Sequence, residues 1–176
     1  NSQQFTLFVP KINKEIVVYE YGASDKKVLL VHGWSGRGTQ LVKIADELIK
    51  KGFMIISFDA PAHGKSKGSS TIMIEFIASI LELEKKYGPF EYAIGHSLGG
   101  MSILNALKQN FTVKKAVTIG SGDVIQDIID DFVKILKLKP EYGLRLKYHF
   151  ETKFVGKMDD YSAYKAAQMV QIPVLV

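Results

Sequence analysis

The 176 residues are 47% apolar and 23% charged, an ordinary balance for a globular chain with one sizeable core, and we expect one main domain. The absence of cysteine excludes disulfides, thiolate metal sites and a cysteine nucleophile. The net charge of +5 is almost all lysine, with arginine only at 37 and 145, so it reads as a solvated face and not as the clustered arginine of a nucleic-acid surface. Nothing at the start resembles a basic, apolar leader and no apolar run reaches the roughly twenty residues of a membrane span, so the expected location is cytoplasmic.

Taken in order, Phe5 to Val9 is a short strand ended by Pro10, and Ile16 to Tyr21 is a second strand rich in β-branched and aromatic residues. The two are expected to pair as a hairpin at one edge. Val28 to Val31 is a continuous apolar run, which fits a central strand covered on both faces. The glycine-rich loop His32-Gly33-Trp34-Ser35-Gly36-Arg37-Gly38 follows. It matches neither the phosphate-binding G-x-x-x-x-G-K-[ST] pattern nor the dinucleotide G-x-G-x-x-G pattern. Leu41, Ile44, Ala45, Leu48 and Ile49 recur at three and four as one face of a helix stopped by Gly52.

Phe53 to Phe58 is the next strand, and it leads into Asp59-Ala60-Pro61-Ala62-His63-Gly64-Lys65-Ser66. Two readings compete there. Asp59 and His63 could form a catalytic pair, or Asp59 could bind loop N–H groups while His63 holds a tight turn; the second is the stronger. A long helix from Thr71 to Tyr87 carries Met73, Ile77, Ile80 and Leu83 or Glu84 on one side and stops at Gly88-Pro89.

The stretch Ala93-Ile94-Gly95-His96-Ser97-Leu98-Gly99-Gly100 contains G-x-S-x-G between a strand at Glu91 to Ile94 and a helix at Met101 to Leu107. That is the setting of a nucleophile elbow, in which a serine hydroxyl is lifted out of a sharp turn toward a substrate carbon. The bland alternative, a glycine-rich loop or helix cap, is weakened by the flanking elements. Val113 to Ile119 is a further strand, nearer an edge because of its lysines, and it ends in Gly120-Ser121-Gly122-Asp123. Strands alternating with helices, each strand ending in a glycine-rich turn, imply an α/β fold with a mostly parallel central sheet and its site at the strand carboxyl ends.

Residues 124 to 170 break the rhythm with helical stretches at Ile125 to Lys137, Pro140 to Tyr148 and Tyr161 to Val170. Their middle is basic (Lys134, Lys137, Lys139, Arg145, Lys147, Lys153, Lys157) and interleaved with Phe132, Tyr142, Tyr148, Phe150 and Phe154. A helical cap over the site is preferred to a nucleic-acid patch. The expected organisation is a core at 1–123, a cap at 124–170 and, at 171–176, the start of a further buried core strand cut off partway.

The motifs H-G-W-S-G-R-G at 32–38, D-A-P-A-H-G-K-S at 59–66, G-H-S-L-G-G at 95–100 and I-P-V-L-V at 172–176 together resemble the α/β-hydrolase superfamily, in its branch of small serine hydrolases with a helical cap. The resemblance implies Ser97 as nucleophile and the backbone N–H groups of Leu98 and Trp34 as oxyanion donors. It implies that His32 and Gly33 shape the oxyanion loop, that Trp34 and Ser35 face the pocket mouth, and that His96 belongs to packing or the pocket wall. In chain order the family's acid and base histidine follow the strand begun at Val174, so both are expected beyond Val176 and the chain reads as truncated. Asp123 is a lesser candidate for the acid. His32, His63 and His149 are weak candidates for the base.

The leading expectation is a serine hydrolase acting on a small-molecule ester, thioester or amide. The basic, aromatic cap mildly favours a substrate with a negative group, such as an acyl carrier thioester, or contact with an anionic lipid surface. The alternatives are a non-catalytic binding protein on the same fold, or a fragment completed by a partner. No cofactor, metal, nucleic acid or membrane span is expected, and the oligomeric state is left open.

Overall fold

The computed structural model describes residues 2–153 and 156–176; Phe154, named above among the aromatic residues of the basic segment, lies outside them. Seven strands form one sheet: β1 Ser2–Val9, β2 Lys14–Tyr21, β3 Lys27–Val31, β4 Met54–Asp59, β5 Phe90–His96, β6 Val113–Ile119 and β7 Val174–Leu175. Their spatial order is β1-β2-β4-β3-β5-β6-β7. β1 and β2 are the expected antiparallel hairpin at one edge, and β2 also runs antiparallel to β4. All pairings from β4 across to β7 are parallel. The helices are α1 Val42–Lys50, α2 Met73–Tyr87, α3 Leu98–Lys108, α4 Ile125–Ile135, α5 Glu141–Lys153 and α6 Ala163–Ala167.

The alternation of side chains along a strand explains why β3 is apolar without interruption. Leu29 and Val31 point into the larger core with Ile56, Phe58 and Ala93, under Phe76, Ile77, Ile80 and Leu83 of α2 and Ile103 and Ala106 of α3. Val28 and Leu30 point the other way, to Ile55, Ile94 and Ala45 of α1. Phe76, which the spacing argument left off the core face of α2, is fully buried there.

Several boundaries differ from expectation. The strand before the elbow extends to His96, and α3 begins at Leu98 and not at Met101, so only Ser97 separates strand from helix. α2 starts at Met73, two residues later than Thr71. The segment expected to be a helix from Tyr161 to Val170 is a 3-10 turn at Met158–Tyr161 followed by the short α6. The strand expected at 172–176 is present as the short β7, parallel to β6, with Ile172 and Val174 packed against the core and Leu175 and Val176 67% and 96% exposed.

The architecture is a mostly parallel α/β sheet with helices on both faces and a helical cap insertion after β6. The cap is tied down at its base. Asn105 of α3 donates from Nδ2 to the Tyr161 carbonyl at 2.8 Å, and Lys108 donates from Nζ to the Asp160 carbonyl at 3.0 Å. Ser162 accepts the Ile125 N–H at 3.1 Å and donates to Asp159 Oδ1 at 2.8 Å.

Candidate active site

Ser97 sits at the carboxyl end of β5 with φ 51° and ψ −120°. A side-chain-bearing residue in that region stores strain of roughly 1–3 kcal/mol and persists only where the surroundings fix it. They do so here from three sides. The Ser97 N–H donates to the Ile119 carbonyl of β6 at 2.8 Å, and its carbonyl accepts from Gly100 N–H at 3.0 Å and Met101 N–H at 3.3 Å. The Ser121 hydroxyl donates to the same carbonyl at 3.1 Å. Neither Ser121 nor Ile119 was legible as part of the elbow, because β6 reaches it only through sheet pairing.

The glycines around Ser97 answer to close approach. A Cβ on Gly95 would stand 2.5 Å from the Gly100 nitrogen, and one on Gly99 would run into the Val31 carbonyl oxygen and lie 2.6 Å from that of His32. The first turn of α3 is thus pressed against the end of β3. A Cβ on Gly33 would be 3.0 Å from Ser97 Cβ, so the loop after β3 lies directly alongside the serine.

Two histidines and one aspartate stitch the loops over this edge. His32 is buried, donates from Nδ1 to the Gly33 carbonyl at 2.7 Å and accepts the Ala60 N–H on Nε2 at 3.0 Å. Burial, above all, pushes its pKa down to about 4, so the ring is neutral at pH 7. His63 repeats the pattern, with Nδ1 donating to the Pro61 carbonyl at 3.0 Å and Nε2 accepting the Ser35 N–H at 3.1 Å. Phe76 meets both rings edge-on from below, and Trp34 meets His63 at 5.8 Å.

Asp59 is fully buried. Its Oδ1 accepts the Gly38 N–H at 2.6 Å, and its Oδ2 accepts the Lys65 N–H at 2.7 Å and the Tyr19 hydroxyl at 2.8 Å. Burial and this hydrogen bond push the Tyr19 hydroxyl up to about 12. Ser66, a member not singled out from the sequence, donates to the Asp59 carbonyl at 2.6 Å and accepts the Val17 N–H at 2.8 Å. The loop-binding reading of Asp59 and the turn-holding reading of His63 therefore hold, and the two do not form a pair.

The remaining candidates fall as follows. Leu98 is the first residue of α3, so its N–H is one of the donors that a helix start leaves unpaired. The Trp34 side chain is 60% exposed, and its backbone N–H enters no hydrogen bond among the described residues. His96 lies against Gly33, and its Nδ1 is buried without a partner among the described residues. Trp34, Ser35 and His63 line a cleft of about 280 Å³ with Gly36, Ala62 and Thr71. Asp123 accepts the Tyr164 N–H on Oδ1 at 2.8 Å and the Ala163 N–H on its carbonyl at 2.8 Å, which fastens it to the start of α6. His149 is exposed on α5. Among the described residues, no group of three or more His, Asp or Glu is placed to hold a metal ion, and no helix is long and apolar enough to cross a membrane.

A parallel sheet flanked by helices, a strained serine between β5 and α3, and a glycine-rich loop pressed beside it define one family. The chain belongs to the alpha/beta hydrolase fold family, whose sequence profile matches residues 26–157. No curated protein matches it. Among solved structures it is similar to an esterase of Pyrococcus furiosus, with a TM-score of 0.71 and 19% identity over 99% of this chain and 68% of that one. It is similar to the thioesterase domain from the curacin biosynthetic pathway, with a TM-score of 0.72 and 14% identity over 99% of this chain and 82% of that one. A proline iminopeptidase-related protein of Thermus thermophilus aligns with a TM-score of 0.63 and 16% identity over 82% of this chain, which spans only 55% of the length of that relative. At such identities the likeness is one of fold.

Proposed function

We propose that this protein is a serine hydrolase that cleaves a carboxylic ester, thioester or amide through an acyl-enzyme on Ser97. The observation that carries the reading is the Ser97 backbone at φ 51° and ψ −120°, a strained turn held between β5 and α3 with the loop after β3 directly beside it. In this course the Ser97 hydroxyl oxygen attacks the substrate carbonyl carbon and gives up its proton to a base. The resulting oxyanion is held by the N–H groups of Leu98 and Trp34. The alcohol, thiol or amine leaves with a proton, and water then hydrolyses the ester formed on Ser97. Each oxyanion donor is worth about 3 kcal/mol of transition-state stabilisation in such sites. The similarity to an esterase and a thioesterase domain supports this class of substrate.

We do not assign the base to any of the four histidines. Both ring nitrogens of His32 and of His63 are spent on the loops, His149 is exposed on the cap, and His96 packs against Gly33. We place the histidine and its acid C-terminal to Val176, and we assign Asp123 to holding α6. Among the described residues no histidine is hydrogen-bonded to the Ser97 hydroxyl, which also fits a second reading, a binding protein without catalysis.

Hydrolysis of short-chain and medium-chain p-nitrophenyl esters by the full-length protein separates the two. Ser97→Ala is expected to lower kcat/KM by at least about a thousandfold, the scale of losing a covalent nucleophile. Retained activity in that variant removes Ser97 from the role, and absence of activity in the unaltered protein favours binding alone. Asp123→Asn is expected to change kcat/KM by less than about tenfold, a loss under about 1.4 kcal/mol.

A further inference from the structure

The hairpin of α4 and α5 is anchored at its base and bare at its far end. Inside it, Val133 and Gly143 are buried, and a Cβ on Gly143 would stand 2.7 Å from Asp130 Oδ1, so the two helices press together there. Outward, Phe132, Ile135, Leu136, Leu138, Leu144 and Tyr148 are all exposed, with Ile135 at 76% and Tyr148 at 72%. Such a concentration of large apolar side chains exceeds the scattered exposure that any surface carries. A hollow of about 570 Å³ lies between the two helices, with Gln126 and Asp130 at its inner end and Val133, Leu138, Leu144 and Lys147 toward the tip.

Cations are threaded through the same surface. Between residues 132 and 148 stand Lys134, Lys137, Lys139, Arg145 and Lys147 against Glu141, while the exposed Asp127, Asp130 and Asp131 lie on α4 before this tip. The turn itself reads Lys134-Ile135-Leu136-Lys137-Leu138-Lys139, so nearly every apolar side chain has an ammonium beside it. Long lysine stems can lie along apolar surface while their charged ends reach polar headgroups. A basic helical surface with leucine, isoleucine and phenylalanine at its apolar positions is the pattern of a segment that lies in a lipid interface.

We propose that the tip of the α4–α5 hairpin docks on an anionic lipid bilayer, with the apolar side chains around Ile135 and Leu138 entering the acyl boundary and the flanking lysines meeting acidic headgroups. Charge chooses this occupant over the others. Protein–protein interfaces are depleted of lysine and enriched in arginine, whereas four of the five cations here are lysine. A second copy would bring two surfaces of the same positive sign together across a twofold axis. The proposal is independent of the chemistry assigned to Ser97.

The test is co-sedimentation of the full-length protein with phosphatidylcholine vesicles, with and without phosphatidylserine. Binding is expected to the anionic vesicles, weak or none to the neutral ones, and to decline as salt screens the charges. Each of Lys134→Gln, Lys137→Gln and Lys139→Gln is expected to weaken binding about fivefold, and the triple variant roughly a hundredfold. The triple variant Lys26→Gln, Lys43→Gln and Lys51→Gln removes the same charge from exposed positions elsewhere and is expected to bind within about twofold of the unaltered protein. Ile135→Asp, at a side chain 76% exposed, is expected to weaken binding to the anionic vesicles strongly with an unchanged melting temperature. Equal binding to both vesicle types, or equal losses in the two lysine triples, would overturn the proposal. So would a self-associating protein that Ile135→Asp makes monomeric and that never binds vesicles, which would assign the surface to a second copy.

Discussion

Asp59 offers the sharpest separation of scaffold from chemistry, because its residue type invites a catalytic reading and its contacts refuse one. Its carboxylate accepts three hydrogen bonds, from Gly38 N–H, Lys65 N–H and the Tyr19 hydroxyl, in a site closed to water. Asp59→Asn keeps one acceptor oxygen, which goes to Gly38, the most buried donor. The new amide group then faces the Tyr19 hydroxyl, which can turn to accept, and the Lys65 N–H, which cannot. One charge-assisted bond is lost and one donor is stranded, a cost of about 2 kcal/mol. Asp59→Ala strands all three donors and is expected to cost about 4 kcal/mol or more. Tyr19→Phe should cost about 1 kcal/mol alone and almost nothing in the Asp59→Ala background, the non-additivity of a shared bond. Urea unfolding measures the stabilities, and labelling of Ser97 by a fluorophosphonate in the folded protein measures the chemistry. An Asp59→Asn protein as stable as the original to within about 0.5 kcal/mol, yet unable to label, would refute the structural assignment.

Other consequences follow from the same geometry. Gly99→Ala drives a Cβ into the Val31 carbonyl oxygen, which is backbone and cannot swing aside; a loss of at least about 2 kcal/mol, or failure to fold, is expected in denaturant unfolding. Ser97→Gly removes the conformational penalty at φ 51° and is expected to raise stability by about 1 kcal/mol while ending covalent chemistry, read by melting temperature and labelling together. His32 has its pKa lowered in the folded state from 6.5 to about 4, so the unfolded chain binds the extra proton first. Its contribution of about 3 kcal/mol is therefore whole above pH 6.5 and lost as pH falls toward 4, which unfolding free energies across that window will show as a slope. NMR titration should find the His32 ring still neutral at pH 5.5.

Much of this was legible because local chemistry and global position agreed. The uninterrupted β3 run announced a strand covered on both faces, and G-x-S-x-G announced a turn in which Gly95 and Gly99 meet backbone from α3 and β3. Asp59 and His63 were readable as loop ties because a charge at the end of a buried strand must find donors. What the sequence hid came from partners distant along the chain. Ile119 and Ser121 lock the Ser97 peptide only because β6 pairs beside β5, and Phe76 lies under the two histidines only because α2 crosses that edge. The end of the cap was misread for another reason. Tyr161 to Val170 has helical composition, yet the ties from Asn105 and Lys108 to the carbonyls of Tyr161 and Asp160, and from Asp123 to Tyr164, cut it into a 3-10 turn and one short helix.

In the proposed function Ser97 is a nucleophile held poised by a strained turn. The most direct measurement of that role is the intact mass of the full-length protein before and after a fluorophosphonate probe, with the adduct mapped by peptide sequencing. One adduct, located on Ser97 and absent from Ser97→Ala, is the predicted result. A protein that stays folded and takes up no probe, or one labelled at another serine, would contradict it.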